Sequence, residues 1–321
     1  CASYAPVMES FSIDEVFLDM TGTGQIYPNP VATACEIKDR IYRELGFTVN
    51  VGISTNKLLA KMASDFEKPN KVHTLYPEEV PQKMWPLPVR DLLFLGKASE
   101  KKLVQNGIRT IGDLARANEK EIQMLLGEKA GHQLYLSANG IDDSPVKAQR
   151  EEAKGISVET TFDEDIVSYE QIFPILLSQC DIVAARMRRE GKKCNCVAVS
   201  FRTLEFKNKS HQRKLDNPTD VTNEIYQNVR QLFQESWSGQ PQRLIGVALT
   251  GLTEDDFIQM SLFEDPKKRE QQKKLDEAMD NIRKKFGNDK IGRASTMNVS
   301  GRIARKAKAQ MENGRKKNDE Q

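Results

Sequence analysis

Residues 10 to 22, SFSIDEVFLDMTG, set two adjacent carboxylates, Asp14 and Glu15, between two runs of strand-forming residues. The run before them (Pro6, Val7, Met8 to Ile13) and the run after (Val16, Phe17, Leu18) are rich in β-branched and aromatic side chains, which suit a half-buried sheet. Neighbours on an extended strand point to opposite faces, so the two acids can converge only if the chain bends between the runs. The pattern predicts a tight hairpin with Asp14 and Glu15 at its tip, near solvent. Two readings of such a tip stand side by side: a solvated acidic turn, or a site for divalent metal.

A second block, GISTNKLLAKMASDFEKPNK at residues 52 to 71, favours the metal. Asn56 can cap a short helix whose apolar residues Leu58, Leu59, Met62 and Ala63 recur at helical spacing, leaving Lys57, Lys61 and Lys68 to face an anion. Carboxylates for magnesium and lysines for phosphate make a nucleotidyl-transfer site. Together the blocks resemble the Y-family DNA polymerases, the translesion enzymes of the polymerase IV type. There S-[IL]-D-E-[AV]-[FY]-L-D is followed by G-[IV]-x-x-N-K-x-L-A-K-x-A-S-x-x-x-K-P. HQLYLSANGID (132 to 142) and KGISVETTFDED (154 to 165) look like that family's thumb end and little-finger start, and the resemblance runs from residue 6 to residue 265.

The resemblance implies an α+β multi-domain chain: a partial palm at 1–76, a small helical thumb at 77–146, a linker at 147–154, an α+β little finger at 155–255, and a clamp-binding peptide with a helical, disordered basic tail at 256–321. It implies that Asp14 and Glu15 are catalytic and hold two Mg2+ ions. Glu15 completes the site that activates the primer 3′-hydroxyl. Lys68 neutralises the deoxynucleoside triphosphate, with Asp65 as a supporting acid. The implied partners are primer-template DNA, nucleotides and the bacterial sliding clamp, and the implied state is a monomer. The family carries a further metal-binding Asp on its first palm strand, then fingers with Tyr and Arg contacts to the triphosphate and an aromatic gate against the ribose 2′-hydroxyl. None of these precedes Asp14 in a sequence that begins at Cys1. The expectation is therefore a C-terminal portion of a polymerase that binds primer-template DNA and by itself incorporates no nucleotide. The alternative, from another class, is a noncatalytic DNA- and clamp-binding module that keeps the fold without turnover.

Composition narrows the setting. No apolar run approaches the roughly 20 residues of a membrane span. Five cysteines without a C-x-x-C pair, and three scattered histidines, indicate neither a disulfide framework nor a zinc site; reduced thiols in the cytoplasm are the default. The net charge is +2, but residues 264–321 carry 17 Lys plus Arg against 10 Asp plus Glu, leaving the rest of the chain acidic. Any grip on DNA in that body must come from local strips and backbone amides.

Further along, Asn29-Pro30 starts a helix with Ala34, Ile37, Ile41 and Leu45 on one face, and a strand is expected at 47–53. After 77 come short helices broken by Pro and Gly. Within them LLFLGKASEKKL (92 to 103) resembles a helix-hairpin-helix, with Phe94 where the first glycine of its G-x-G turn would be. Gly96 and Lys97 are its candidate DNA contacts, and a purely structural helix pair is the other reading. Helices at 168–190 and 220–235 and strands at 196–206 and 243–250 predict two helices on one face of a small sheet, the other face free for DNA. Arg202, Lys207, Lys209, Ser210, His211, Arg213 and Lys214 cluster around one hairpin, either a solvated turn or, by resemblance, the little finger's phosphate contacts. Gln259, Leu262 and Phe263 resemble the clamp peptide Q-x-[SD]-L-F, in which an apolar pair fills a partner's pocket. A helix at 266–287 is expected to rest on Leu275, Met279, Ile282 and Phe286, and 301–321 is polar and basic.

Overall fold

The alternation around Asp14 and Glu15 becomes an antiparallel hairpin in the computed structural model of the chain, which describes residues 1–148, 152–254, 266–288 and 290–296. Strand β1 (Val7–Ser10) pairs with β2 (Val16–Asp19), Val7 opposite Asp19 and Ser10 opposite Val16. The first strand is shorter than its apolar run: it ends at Ser10, and Ile13, 85% exposed, lies in the tip. The chain divides into two units, 1–151 and 152–321.

In the first unit, helix α1 (Pro30–Leu45) starts where Asn29 accepts from the amides of Val31 and Ala32, and ends at Gly46 in the left-handed region. Ala34 and Ile37 are buried as expected, but Leu45, in the last turn, is exposed. Strand β3 (Val51–Ile53), helix α2 (Lys57–Ser64) and strand β4 (Val72–Thr74) follow, with β3 and β4 parallel. The expected strand from 47 is thus only its last three residues. Gly52 lets α2 lie against β3, since a Cβ there would sit 1.9 Å from the Ala60 carbonyl oxygen. The chain then runs through α3 (Val80–Lys83), α4 (Lys97–Gln105), α5 (Ile111–Arg116), α6 (Glu119–Leu126) and α7 (Glu128–Ala138). Leu58, Leu59, Met62 and Ala63 of α2 share one core with Val80, Leu103, Leu114 and Leu134 of these helices and with Met84, just past α3. The apolar face read from helical spacing on α2 therefore packs beneath the helical module.

In the second unit, β5 (Gly155–Ile166), α8 (Tyr169–Arg189), β6 (Lys193–Thr203), β7 (Asn208–Thr219), α9 (Thr222–Ser236) and β8 (Gln242–Thr253) form an antiparallel sheet in the order β5-β8-β6-β7. This βαββαβ arrangement is the split βαβ pattern. Ile172, Leu176, Val183 and Met187 of α8 and Ile225, Val229 and Phe233 of α9 pack with Val158, Val197, Val199, Phe201, Val247 and Leu249 of the sheet. Both helices thus cover one face.

Helix α10 (Pro266–Phe286) differs from its expectation. Leu275 and Phe286 are 52% and 59% exposed, and the buried residues of this helix are Asp276, Met279 and Arg283. Asp276 accepts from the Thr222 amide at the start of α9, 2.8 Å, where Val221 offers no side-chain cap. It also pairs with Arg293 and, at 3.4 Å, with Arg188. Arg188 reaches Asp280 at 2.7 Å, and Arg283 pairs with Asp181 of α8. Ion pairs among Asp181, Arg188, Asp276, Asp280, Arg283 and Arg293, beside the buried Met279, seat α10, while Leu275 and Phe286 face solvent.

Candidate active site

The hairpin tip supplies the bend that lets neighbouring acids converge. The amides of Phe11 and Ser12 both donate to the Glu15 carbonyl, at 2.9 and 3.2 Å, and close the loop. The Ser12 hydroxyl lies 2.8 Å from an Asp14 carboxylate oxygen and 3.3 Å from one of Glu15, so both acids face one point. A hydroxyl has a single proton, which it can give to only one of them at a time.

Helix α2 brings its cations to the same place. Asn56 accepts from the Leu59 amide, and Asp142 from the Leu58 amide, so the helix start is capped from both sides. Lys61 then reaches Glu15 at 2.7 Å and Asp65 at 2.8 Å, and Lys68 reaches Asp65 at 2.7 Å. Burial alone would raise the Asp65 carboxyl, but hydrogen bonds and charge from Lys61 and Lys68 outweigh it and hold the group below its ordinary range. For Lys61 burial works downward, and its bonds to Asp65 and Glu15 overcome it and raise the ammonium. Asp14, Glu15, Asp65 and Lys68 are thus brought into one row, with Lys61 as the joint. That joint was legible as a Lys-Asp pair four residues apart on a helix, but its reach to Glu15 was not. Lys57 does not face an open anion site: it pairs with Glu9 at 2.7 Å, and Glu9 also accepts from the Lys147 amide. These bonds outweigh burial and lower the Glu9 pKa.

The donor set suits a hard divalent cation. Two carboxylates and a hydroxyl offer oxygen alone, and magnesium is usually held by one or two carboxylates with water and substrate phosphates completing the shell. Among the described residues no group of three or more His, Cys, Asp or Glu side chains is placed to hold a metal.

The other candidate residues with described structure belong to other elements of the chain. Gly96 is the N-cap of α4 and Lys97 its first residue; no side chain caps that end. In the hairpin of β6 and β7 the period of two divides the basic cluster. Lys209, His211 and Arg213 pair with Phe201, Val199 and Val197, on the helix-bearing side. His211 stacks on Phe201, and Arg213 bonds Glu235 of α9 at 2.6 Å. Ser210 and Lys214 pair with Ser200 and Cys196 on the open side, as Asn208 does with Arg202. Lys207 is in the connecting turn. Gln259, Leu262 and Phe263 lie outside the described residues.

Residues 1–65 match the model of the impB/mucB/samB family, residues 153–262 that of the impB/mucB/samB family C-terminal domain, and residues 90–142 one described as DNA polymerase-iota, thumb domain. Over 291 residues the chain is 43% identical to a protein of Clostridium acetobutylicum named DNA polymerase IV, covering 91% of this chain and 73% of that one. It is 37% identical over 312 residues to DNA polymerase IV 2 of Bacillus subtilis, covering 95% and 75%. Among solved structures, a Y-family DNA polymerase chimera matches in fold with a TM-score of 0.69 at 23% identity, over 79% of this chain and 73% of that one.

Proposed function

The chain belongs to the Y-family DNA polymerases of the polymerase IV type, and on that premise we propose that its carboxylate hairpin is where nucleotides are joined. The activity is template-directed nucleotidyl transfer onto a DNA primer, the work of a translesion polymerase, and it depends on divalent metal. Convergence of Asp14 and Glu15 on one hydroxyl, beside a lysine-bearing helix, carries the assignment.

Asp14 and Glu15 are the ligands we assign to Mg2+. Bound there, divalent metal would supply positive charge to stabilise the attacking 3′-hydroxyl oxygen and the leaving pyrophosphate. Ser12 orients the two carboxylates. Lys61 holds Glu15 in place from the side. Lys68, at the exposed end of the row, exchanges Asp65 for the triphosphate, and Asp65 receives it back when product leaves.

Further from the chemistry, the α4 amides with Gly96 and Lys97 hold a primer phosphate. Arg202, Lys207, Lys209, Ser210, His211 and Arg213 track the DNA backbone along the outer edge of the second unit's sheet, the open-side residues by direct contact and the others mainly by their field. Gln259, Leu262 and Phe263 engage the sliding clamp, an assignment that rests on sequence. It would supply residence time on DNA that a modest grip lacks. A monomer in the cytoplasm suits this role. Among the described residues no helix is long and apolar enough to cross a membrane.

In the native protein, Asp14→Ala or Glu15→Ala should slow single-nucleotide incorporation at least about a hundredfold, the effect of removing a metal ligand from a charge-stabilised transition state. Affinity for primer-template should change less than about twofold, since neither residue is in the proposed DNA contacts. Incorporation at the wild-type rate by both variants would return the pair to a solvated turn.

A further inference from the structure

The turn before α4 holds a residue that its backbone disfavours. Phe94 has φ +66°, a left-handed conformation that glycine adopts freely and a bulky side chain adopts at a cost. Strain of this kind persists where surrounding structure holds it. Burial is not what holds it, because Phe94 is 74% exposed. Its ring instead meets Phe11, edge to face, with centroids 6.3 Å apart. Phe11 lies edge-on to Phe17 of β2 at 5.3 Å, and its amide is one of the two that close the loop carrying Asp14 and Glu15. Two exposed aromatic rings therefore connect the turn that opens α4 to the carboxylate hairpin.

We propose that Phe94 is a positioning residue for the polymerase reaction: through Phe11 it fixes the spacing between the α4 turn and the carboxylates of Asp14 and Glu15. The inference rests on the reading of that hairpin as the metal site and of α4 as a primer contact. If a primer phosphate sits at α4 and the 3′-hydroxyl must meet the metal-bearing carboxylates, that spacing sets the approach. A displacement of about 1 Å can cost on the order of a hundredfold in rate. A glycine at position 94 would relax the backbone and leave the turn and the hairpin to move independently.

The test compares wild type, Phe94→Gly, Phe94→Trp and Phe11→Leu in the native protein, by hydrogen exchange of the Phe11 and Ser12 amides, by melting temperature, and by kcat and KM for single-nucleotide incorporation. Phe94→Gly should melt at the same temperature or higher, because strain is relieved. Its Phe11 and Ser12 amides should nevertheless exchange about two- to tenfold faster, the factor an edge-to-face aromatic pair of ordinary strength represents. Its kcat should fall about tenfold or more with KM within about twofold, as for a misplaced reactant. Phe94→Trp should keep both properties near wild type, and Phe11→Leu combined with Phe94→Gly should be no worse than the more severe single variant. Unchanged hairpin exchange and unchanged kcat in Phe94→Gly would overturn the coupling. Asp14→Asn, run in parallel, separates the two claims: if it abolishes incorporation while Phe94→Gly behaves as wild type, the coupling alone is wrong, and if it incorporates normally, the metal reading falls and the coupling with it.

Discussion

In the first unit Glu15, Lys61, Asp65 and Lys68 form an alternating row that is open to solvent at the Lys68 end, whereas in the second unit Asp181, Asp276, Asp280, Arg188, Arg283 and Arg293 close on one another beneath α10. The residue types are nearly the same, but their surroundings differ. Asp276 is 2% exposed and spends its oxygens on Arg188, Arg293 and the Thr222 amide. A carboxylate so occupied has nothing left for a ligand, and its removal strands buried cations. Asp14 is exposed, and Glu15 is bound on one oxygen by Lys61 with its other facing Ser12. An open row of ions contributes little to stability but can exchange partners. Chemistry is therefore expected of the row, and only assembly of the closed cluster.

The largest effect that would test this contrast is on the cluster. Asp276→Ala removes an acceptor from two arginines and the cap from α9, so unfolding of the second unit should become easier by about 3–5 kcal/mol. Denaturant titration monitored by Trp237 fluorescence, a residue packed in that unit's core, measures it. A loss under about 1 kcal/mol, the size expected of a surface pair, would erase the distinction between the two networks.

Lys61→Met should cost at most about 1 kcal/mol, because its partners stay hydrated. The small difference should carry a pH signature whose sign is fixed. The lowered Asp65 contributes stability above its ordinary value of 3.8 and loses it as pH falls through the folded value. The raised Lys61 contributes below its ordinary 10.5 and loses it as pH rises past that. Melting temperatures of the two proteins should therefore differ by a constant amount between about pH 5 and pH 9 and converge in stronger acid. A difference that grows as pH falls would reverse the assignment of partners.

Local pattern carried much of this arrangement. The hairpin, the α2 cap at Asn56 and its buried face, and the two helices on one side of the second unit's sheet follow from period and capping, which act within a few residues. What the sequence withheld depends on contacts between distant segments. Nothing near Asp142 announces that it caps α2, and Asp276 and Arg283 read as a solvated helix surface until α8 and α9 are brought to them. The basic hairpin was legible as a cluster but not as two faces, because register, not composition, decides which side Lys209 and Ser210 take. Phe94 was visible as a departure from glycine, while its left-handed backbone and its contact with Phe11 emerge only from the fold.

The assignment of metal to the hairpin is tested most directly by paramagnetic broadening. Mn2+ titrated into the native protein with primer-template DNA should broaden amide resonances from Ser12 to Glu15 first and leave those of α10 sharp. Combined Asp14→Asn and Glu15→Gln, which keeps shape and removes charge, should abolish the broadening at the hairpin. Broadening that persists in that variant, or that centres on Asp276 and Asp280 instead, would contradict the assignment.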